Sequence, residues 1–339
     1  MMILVIYFYL FTTSTYYYRH DIEKILHNIT TFGFSIQMSA KIYLFVICQK
    51  RITEIHELNL IFFEDNCSNS SNVKNALVKN AMLTNVVLKL TAMSTVMLCV
   101  ILAFAPVLYS IITSDKLLPY GFEWVHSNTW TAYFINYPFQ CITTSYVALA
   151  TVSTDATFIL YLLTGCGKVD TLIAMFQDLN VMIERNVSEH GTTEQLTKII
   201  KLNQHLKWYM ASVEKTFKGY FLVTLGCLSL NMIISATAVI LINWFMGVVV
   251  VLFSTIQLFY VCFLGTFWQI KNDELLIEVW FFDWYKLSVK NQKSYLLFLN
   301  AAQAPATLTA IFIPLNMSAY LTIHKTLYSI CMILSQFSE

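Results

Sequence analysis

Residues 219–270, GYFLVTLGCLSLNMIISATAVILINWFMGVVVVLFSTIQLFYVCFLGTFWQI, run for 52 residues without a charge or a histidine. A membrane's hydrocarbon core takes roughly 20 helical residues to cross. The stretch is too long for one crossing and suits two, turning at Asn243-Trp244. Working outward, residues 90–114 carry no charge and residues 124–154 lack Asp, Glu, Lys and Arg. The pattern predicts an all-α polytopic membrane protein with seven spans: 1–18, 25–48, 82–112, 129–164, 217–242, 246–270 and 307–337. Between them lie a cytoplasmic helical loop (165–216) and cytoplasmic anchor helices (271–306).

Composition agrees. The chain is 57% hydrophobic and 12% charged, with mean hydropathy +0.60, whereas soluble domains carry about 25% charged residues. That excludes a soluble enzyme. A net charge of +1 gives no reason to expect nucleic acid. Only 9 glycines occur among 339 residues. Transporters and tightly crossed bundles bring helices together through small residues; this bundle packs through large ones, leaving irregular apolar space.

The basic residues set the orientation. With the first end cytoplasmic, the inside loops hold 14 Lys and Arg and the outside loops 3. Cytoplasmic loops retain basic residues, so the N-terminus is expected inside and the C-terminus outside. That is the reverse of a G-protein-coupled receptor, and no G-protein partner is expected. The opening MMILVIYFYLFTTSTYYY lacks the basic n-region and cleavage site of a signal peptide. It reads as a first span, short enough to suggest a truncated one.

The inside segments show helical periodicity. Residues 192–218 and 273–303 place apolar groups at helical spacing with Lys on the other face. Such helices dock on partner subunits or lie on membrane lipid. The eight cysteines show no paired or zinc spacing and read as buried small hydrophobes. The sequons at Asn66, Asn69 and Asn186 fall in inside loops and should be unglycosylated, while that at Asn316 lies within the last span.

No P-loop, HExxH, GxGxxG or GxSxG stands in the chain, and no metal cluster or cofactor signature. Charges within spans carry functional suspicion. Lys41 and Lys89 sit where lysines snorkel to the inner interface. Asp155 falls at the inner end of span four, where a helix–helix hydrogen bond is expected. His324-Lys325 lies near the middle of span seven, tolerable only facing protein or water. Aromatic residues crowd the outer halves of the spans: Phe32, Phe34, Phe104, Tyr109, Tyr133, Phe134, Tyr137 and Phe253. They read either as an interfacial aromatic belt or as an apolar pocket for a hydrophobic ligand.

The last third carries a resemblance. Gln257-Leu-Phe-Tyr-Val-Cys-Phe-Leu-Gly265 resembles the Q-x-F-x-x-C-x-x-G element of the insect odorant receptor family. Asn272, Glu278, Trp284-Tyr285, Lys290 and Lys293 follow in order. Ala302-Gln303-x-Pro305-x-x-Leu308-Thr309-Ala310 is similar to the family's connection into the last helix, and Lys325-x-x-Tyr328-Ser329 to its ending. Upstream, Ser153-x-Asp155 with Phe158, and Gln204-His205 with Glu214 and Phe217, also fit. The resemblance covers roughly residues 20–337.

Two departures refine it. Leu327 stands where the related gustatory receptors have Thr, and Gln336-Phe337 fall two places late. That favours an odour-tuned subunit over a gustatory-type channel, the alternative reading together with a transporter. The inner loop 165–216 is shorter than in the shared co-receptor. The resemblance implies an odorant-gated cation channel subunit in a heterotetramer with the co-receptor, in the membrane of olfactory neuron dendrites. It also implies a small volatile ligand and a pore lined by the seventh helices, with a gate at Leu327, Tyr328, Cys331, Leu334 and Ser335. Asp155, His205, Glu214, Gln257, Gly265, Trp284, Pro305 and Lys325 are expected to support the structure.

Overall fold

The computed structural model describes residues 2–67, 70–113, 116, 118–125, 129–242, 245–303, 308–310 and 313–338. The described chain is built of helices: α1 (Met2–Tyr17), α2 (Ile22–Cys67), α3 (Ser71–Thr113), α4 (Trp130–Glu184), α5 (Glu189–Ile242), α6 (Phe245–Phe281), α7 (Val289–Ala302) and α8 (Met317–Ser338). A 3-10 turn (Trp284–Lys286) joins α6 to α7. A two-stranded antiparallel hairpin, β1 (Thr309–Ala310) with β2 (Ile313–Pro314), precedes α8.

The helices are longer than a membrane is thick. At 1.5 Å per residue, α4 and α5, of 55 and 54 residues, each reach roughly 80 Å against a hydrocarbon core of about 30 Å. The polar stretch 49–80 accordingly stays helical to Cys67 and resumes at Ser71. Its inner face is the reason: Ile55, Asn59 and Phe62 recur at helical spacing and are buried. The loop expected over 165–216 is likewise two helix extensions joined by a tight turn. There the Asn186 amide donates to the Ile183 carbonyl and the Val187 amide to that of Met182. This closure needs a left-handed residue, and Asn186 supplies it at φ 52°. Asn243 and Trp244, the expected turn between α5 and α6, lie outside the described residues.

The last element differs from expectation. Residues 307–337 were to be one helix, yet α8 begins only at Met317. The Leu315 amide bonds to the Leu308 carbonyl (3.0 Å), closing the hairpin. Asn316 is the cap of α8 and accepts from the Ala319 amide (3.0 Å), rather than lying within the helix. Gly265 admits this segment: a Cβ there would stand 2.8 Å from the Leu315 carbonyl carbon.

Among the described residues five helices, α2 to α6, are long and apolar enough to cross a membrane. α1 has only 16 residues, and Thr322, His324, Lys325, Thr326 and Ser329 dilute α8. The main core lies where α4, α5 and α6 meet α7, around Phe158, Phe176, Met210, Phe217, Trp268 and Tyr295. Toward the opposite end, buried apolar residues divide into two small clusters. Exposed Met93, Met97, Leu108 and Ile112 clothe α3 in side chains suited to lipid.

Candidate functional site

One of the small clusters joins α2, α3, α4 and α6. The Phe34 and Phe253 rings meet edge to face, centroids 5.5 Å apart, beside Cys99, Ala148 and Leu98. One turn further along α2, Met38 receives the Thr151 hydroxyl at its sulfur, 3.2 Å away. Two aromatic rings facing small side chains make a packed apolar cluster held by non-directional contacts.

Beneath it lies a polar floor. Lys41 is fully buried, with its ammonium 2.8 Å from Asp155 Oδ1. The hydroxyls of Tyr220 and Tyr260 both donate to the same carboxylate. Gln257 Nε2 donates to Oδ2 at 3.0 Å, and Gln37 donates to Gln257 Oε1 at 3.4 Å. One carboxylate thus ties together α2, α4, α5 and α6. A buried charge is tolerable only when paired and hydrogen-bonded, and this one is both. The expectation that Lys41 snorkels to an interface is corrected: a partner at matching depth on α4 holds it inside. Lys89 is exposed.

A strap of residues 119–125 is tied to α1 and α4. Gln140 accepts from the Tyr120 amide (2.9 Å) and donates to the carbonyls of Tyr120 (3.2 Å) and Phe122 (2.6 Å). Asn136 holds the Trp124 and Val125 amides at 2.8 and 3.1 Å. Ser14 accepts from the Glu123 amide (2.9 Å), and the Tyr18 hydroxyl donates to the Glu123 carboxylate (2.7 Å). The strap turns Phe122 inward against Leu10, Tyr120 and Phe139. Burial also pushes the Tyr120 hydroxyl's pKa upward.

At the far end of the bundle, Lys168 is buried between Phe62 and Tyr209, its ammonium 4.9 and 3.7 Å from the ring centres. Burial lowers its pKa to about 7. Nearby, Lys271 bridges Asp170 (2.9 Å) and Glu274 (2.7 Å).

The eight expected pocket residues do not converge. Phe34 and Phe253 meet edge to face in the small cluster. Phe32 stacks on Phe11 at 4.1 Å and so binds α1 to α2. Tyr133 stacks on Tyr137, whose hydroxyl donates to the Ala103 carbonyl (3.1 Å), pinning α4 to α3. Phe104, Tyr109 and Phe134 face outward, Phe104 and Phe134 at 59% and 69% exposure. Bulk and depth selected them, but the helical phase of each puts its ring on the outer surface.

On α8, Tyr328 is 66% exposed and Cys331 half-buried, whereas Leu327 turns inward and packs on the main core. The side chains of Leu334 and Ser335 lie outside the described residues, as does Pro305. Lys325 points outward; His324 bonds the Tyr320 carbonyl through Nδ1 at 3.0 Å. Of the remaining motif residues, Asp155 and Gln257 build the floor, and Gly265 receives Leu315. Glu214 accepts from the Thr309 hydroxyl (2.6 Å), which anchors the hairpin to α5. His205 is exposed, and Trp284 sits half out of the 3-10 turn. All eight cysteines are free, and no group of three metal-ligating side chains occurs among the described residues.

Sequence reading missed Tyr220, Tyr260 and the clamps Asn136 and Gln140. The signal available was Lys41 and Asp155 themselves, two opposite charges at similar depth in neighbouring spans.

A bundle of helices long and apolar enough to cross a membrane defines the class, a polytopic helical membrane protein. The chain belongs to the 7tm odorant receptor family, whose model matches residues 21–328. Its fold is similar to that of the olfactory receptor OR5 from the insect Machilis hrabei. The TM-score is 0.77 at 14% identity, covering 99% of this chain and 88% of that one. The same receptor in complex with eugenol matches with TM-score 0.68 at 16% identity over the same shares.

Proposed function

We propose that this odorant receptor is the odour-tuned subunit of a ligand-gated, non-selective cation channel. It assembles with a shared co-receptor into a heterotetramer. It crosses the dendritic membrane of an olfactory neuron seven times, N-terminus inside, and needs no G protein. The 14-to-3 distribution of basic residues supports that orientation.

The observation that carries the channel reading is the free face of α8. The helix packs on α5 and α6 along Tyr320, Ile323 and Leu327. Its other side leaves Thr322, Lys325, Thr326, Tyr328 and Ser329 exposed. The hydroxyls of Thr322, Thr326 and Ser329 bond the carbonyls one turn back, but the Lys325 ammonium on an outward face is costly against lipid and suits a water-filled path at a four-fold axis. Tyr328, with Cys331, Leu334 and Ser335, forms the gate; apolar side chains meeting there close the path by dewetting it. The exposed Trp280, Phe281, Leu296 and Leu297 of the anchor helices provide the apolar surface on which neighbouring subunits dock.

A small volatile ligand binds at the cluster of Phe34, Cys99, Ala148 and Phe253. The similarity to a receptor whose structure holds eugenol supports a ligand of that size. Its binding shifts the closed–open equilibrium only by its differential affinity for the two states. The polar floor below the cluster transmits that preference, because it joins cluster helix α2 to α6, against which α8 packs. Replacing Phe253 with Ala should raise the half-maximal odorant concentration by roughly tenfold, the loss of a buried ring's contacts. An unchanged concentration with normal surface expression would move the ligand elsewhere.

A further inference from the structure

A small cleft lies beside the main core, where α5 and α6 meet the end of α7. Asn203, Lys207 and Asn272 line it together with Leu206, Met210 and Trp268, and Ala302 of α7 borders it. The free space at its centre is about 10 Å³, room for roughly one water-sized body.

The polar groups of this cleft are not satisfied by the chain. Asn203 is 4% exposed, yet its carboxamide has no hydrogen-bond partner. Asn272 gives one amide hydrogen to the Trp268 carbonyl (2.7 Å) and keeps the other. The Lys207 ammonium donates to the Ala301 carbonyl and has hydrogens to spare. No carboxylate balances its charge: burial is what acts on this lysine, and it lowers the pKa. Other lysines withdrawn from water are matched. Lys41 has Asp155, Lys271 has Asp170 and Glu274, and Lys168 lies against two rings. A charge taken out of water needs a counter-charge or a full set of hydrogen bonds, and Lys207 has one carbonyl.

We propose that this cleft is a binding site for a single halide ion, chloride in the cell, held by the Lys207 ammonium and the amide groups of Asn203 and Asn272. The ammonium repels a metal cation. The small central space and the apolar Leu206, Met210 and Trp268 disfavour phosphate or sulfate, which are larger and part with their water reluctantly. A halide is monatomic, carries one charge and tolerates apolar contact on its remaining sides. Bound there, it braces α5 to α6 at the end of α7. The site is separate from the Phe34–Phe253 cluster and from the free face of α8, so it stands whether or not the chain conducts.

The test follows the melting temperature of the full chain, solubilised in detergent in sodium gluconate, as sodium chloride replaces gluconate at constant ionic strength. An ion that binds the folded chain stabilises it, so chloride should raise the melting temperature by about 2 °C at ten times its half-saturating concentration. Bromide, larger and less tightly hydrated, should half-saturate at a lower concentration, and fluoride should give no shift. Lys207→Gln should abolish the chloride shift while its amide still reaches the Ala301 carbonyl. Asn203→Leu, made independently, should weaken chloride at least tenfold and keeps the inference testable if Lys207→Gln does not fold. Equal melting in chloride and gluconate, fluoride acting as well as bromide, or a shift that both variants keep overturns the halide site and leaves the cleft to a water molecule.

Discussion

Removing the Asp155 carboxylate should be the most damaging single change in the polar floor of this receptor. In Asp155→Ala the Lys41 ammonium, 2.8 Å away and fully buried, loses its counter-ion. The Tyr220 and Tyr260 hydroxyls and the Gln257 amide lose their acceptor at the same time. Breaking a buried pair costs about 3–5 kcal/mol, and repartnering among the orphaned donors recovers part of the rest. A total near 5 kcal/mol would leave little folded receptor, since whole domains are stable by only about 5–15 kcal/mol. Lys41→Met should cost less, about 3 kcal/mol, because the carboxylate keeps three donors. Asp155→Asn alone should cost about 4 kcal/mol by stranding the Lys41 charge, and combining it with Lys41→Met removes both charges and keeps the shape, so the double variant should lie within about 2 kcal/mol of the unaltered receptor. The coupling is then about 3 kcal/mol or more. Fluorescence-detected size-exclusion after graded heating of detergent-solubilised receptor gives the ranking, and surface labelling gives the folded yield. Singles that are neutral, or a double variant as poor as the two singles together, would refute the floor as a coupled unit.

Three further outcomes follow from the same structure. Lys168 has its pKa lowered to about 7 from 10.5, so between those values the unfolded chain binds more protons than the folded one. Stability should rise with pH across that window and stay flat below it. Lys168→Met should gain on the order of 2 kcal/mol at pH 7 and flatten the rise, and a melting profile that keeps its slope would contradict this. Gln140→Ala releases three hydrogen bonds to the strap and should speed both onset and washout of odorant-evoked current severalfold under rapid perfusion; unaltered kinetics would show that the strap does not limit access. Ser329→Cys on the free face of α8 should let a charged, water-soluble thiol reagent block the open channel, while Leu327→Cys, packed on the core, should be spared. Equal modification of both would place the pore elsewhere.

The helical membrane architecture was legible because uncharged runs and basic loops are one-dimensional signals: residues 219–270 alone demand two helices. The helix extensions at 49–67 and 165–216 were partly legible, since their burial pattern follows a 3.6-residue period. The hairpin at 309–314 was not, because two-residue strands leave no periodicity to read. The site was harder. Phe34 and Phe253 were found by depth and bulk, and the same rule selected Phe104 and Phe134, which face outward. Helical phase relative to neighbours separates the two outcomes, and one sequence does not carry it. Lys41 was assigned to the membrane surface because its partner stands 114 residues away on α4. A charge deep in a span has a simple local explanation until the opposing charge is placed beside it.

The measurement that tests the account most directly is whole-cell current across a broad panel of volatile compounds, in cells expressing this chain with and without an insect odorant co-receptor. The account predicts a non-selective cation current that appears only with the co-receptor and only when an odorant is applied, and that needs no G-protein signalling. No current from receptor that reaches the surface, or a response abolished by blocking G-protein signalling, would contradict it.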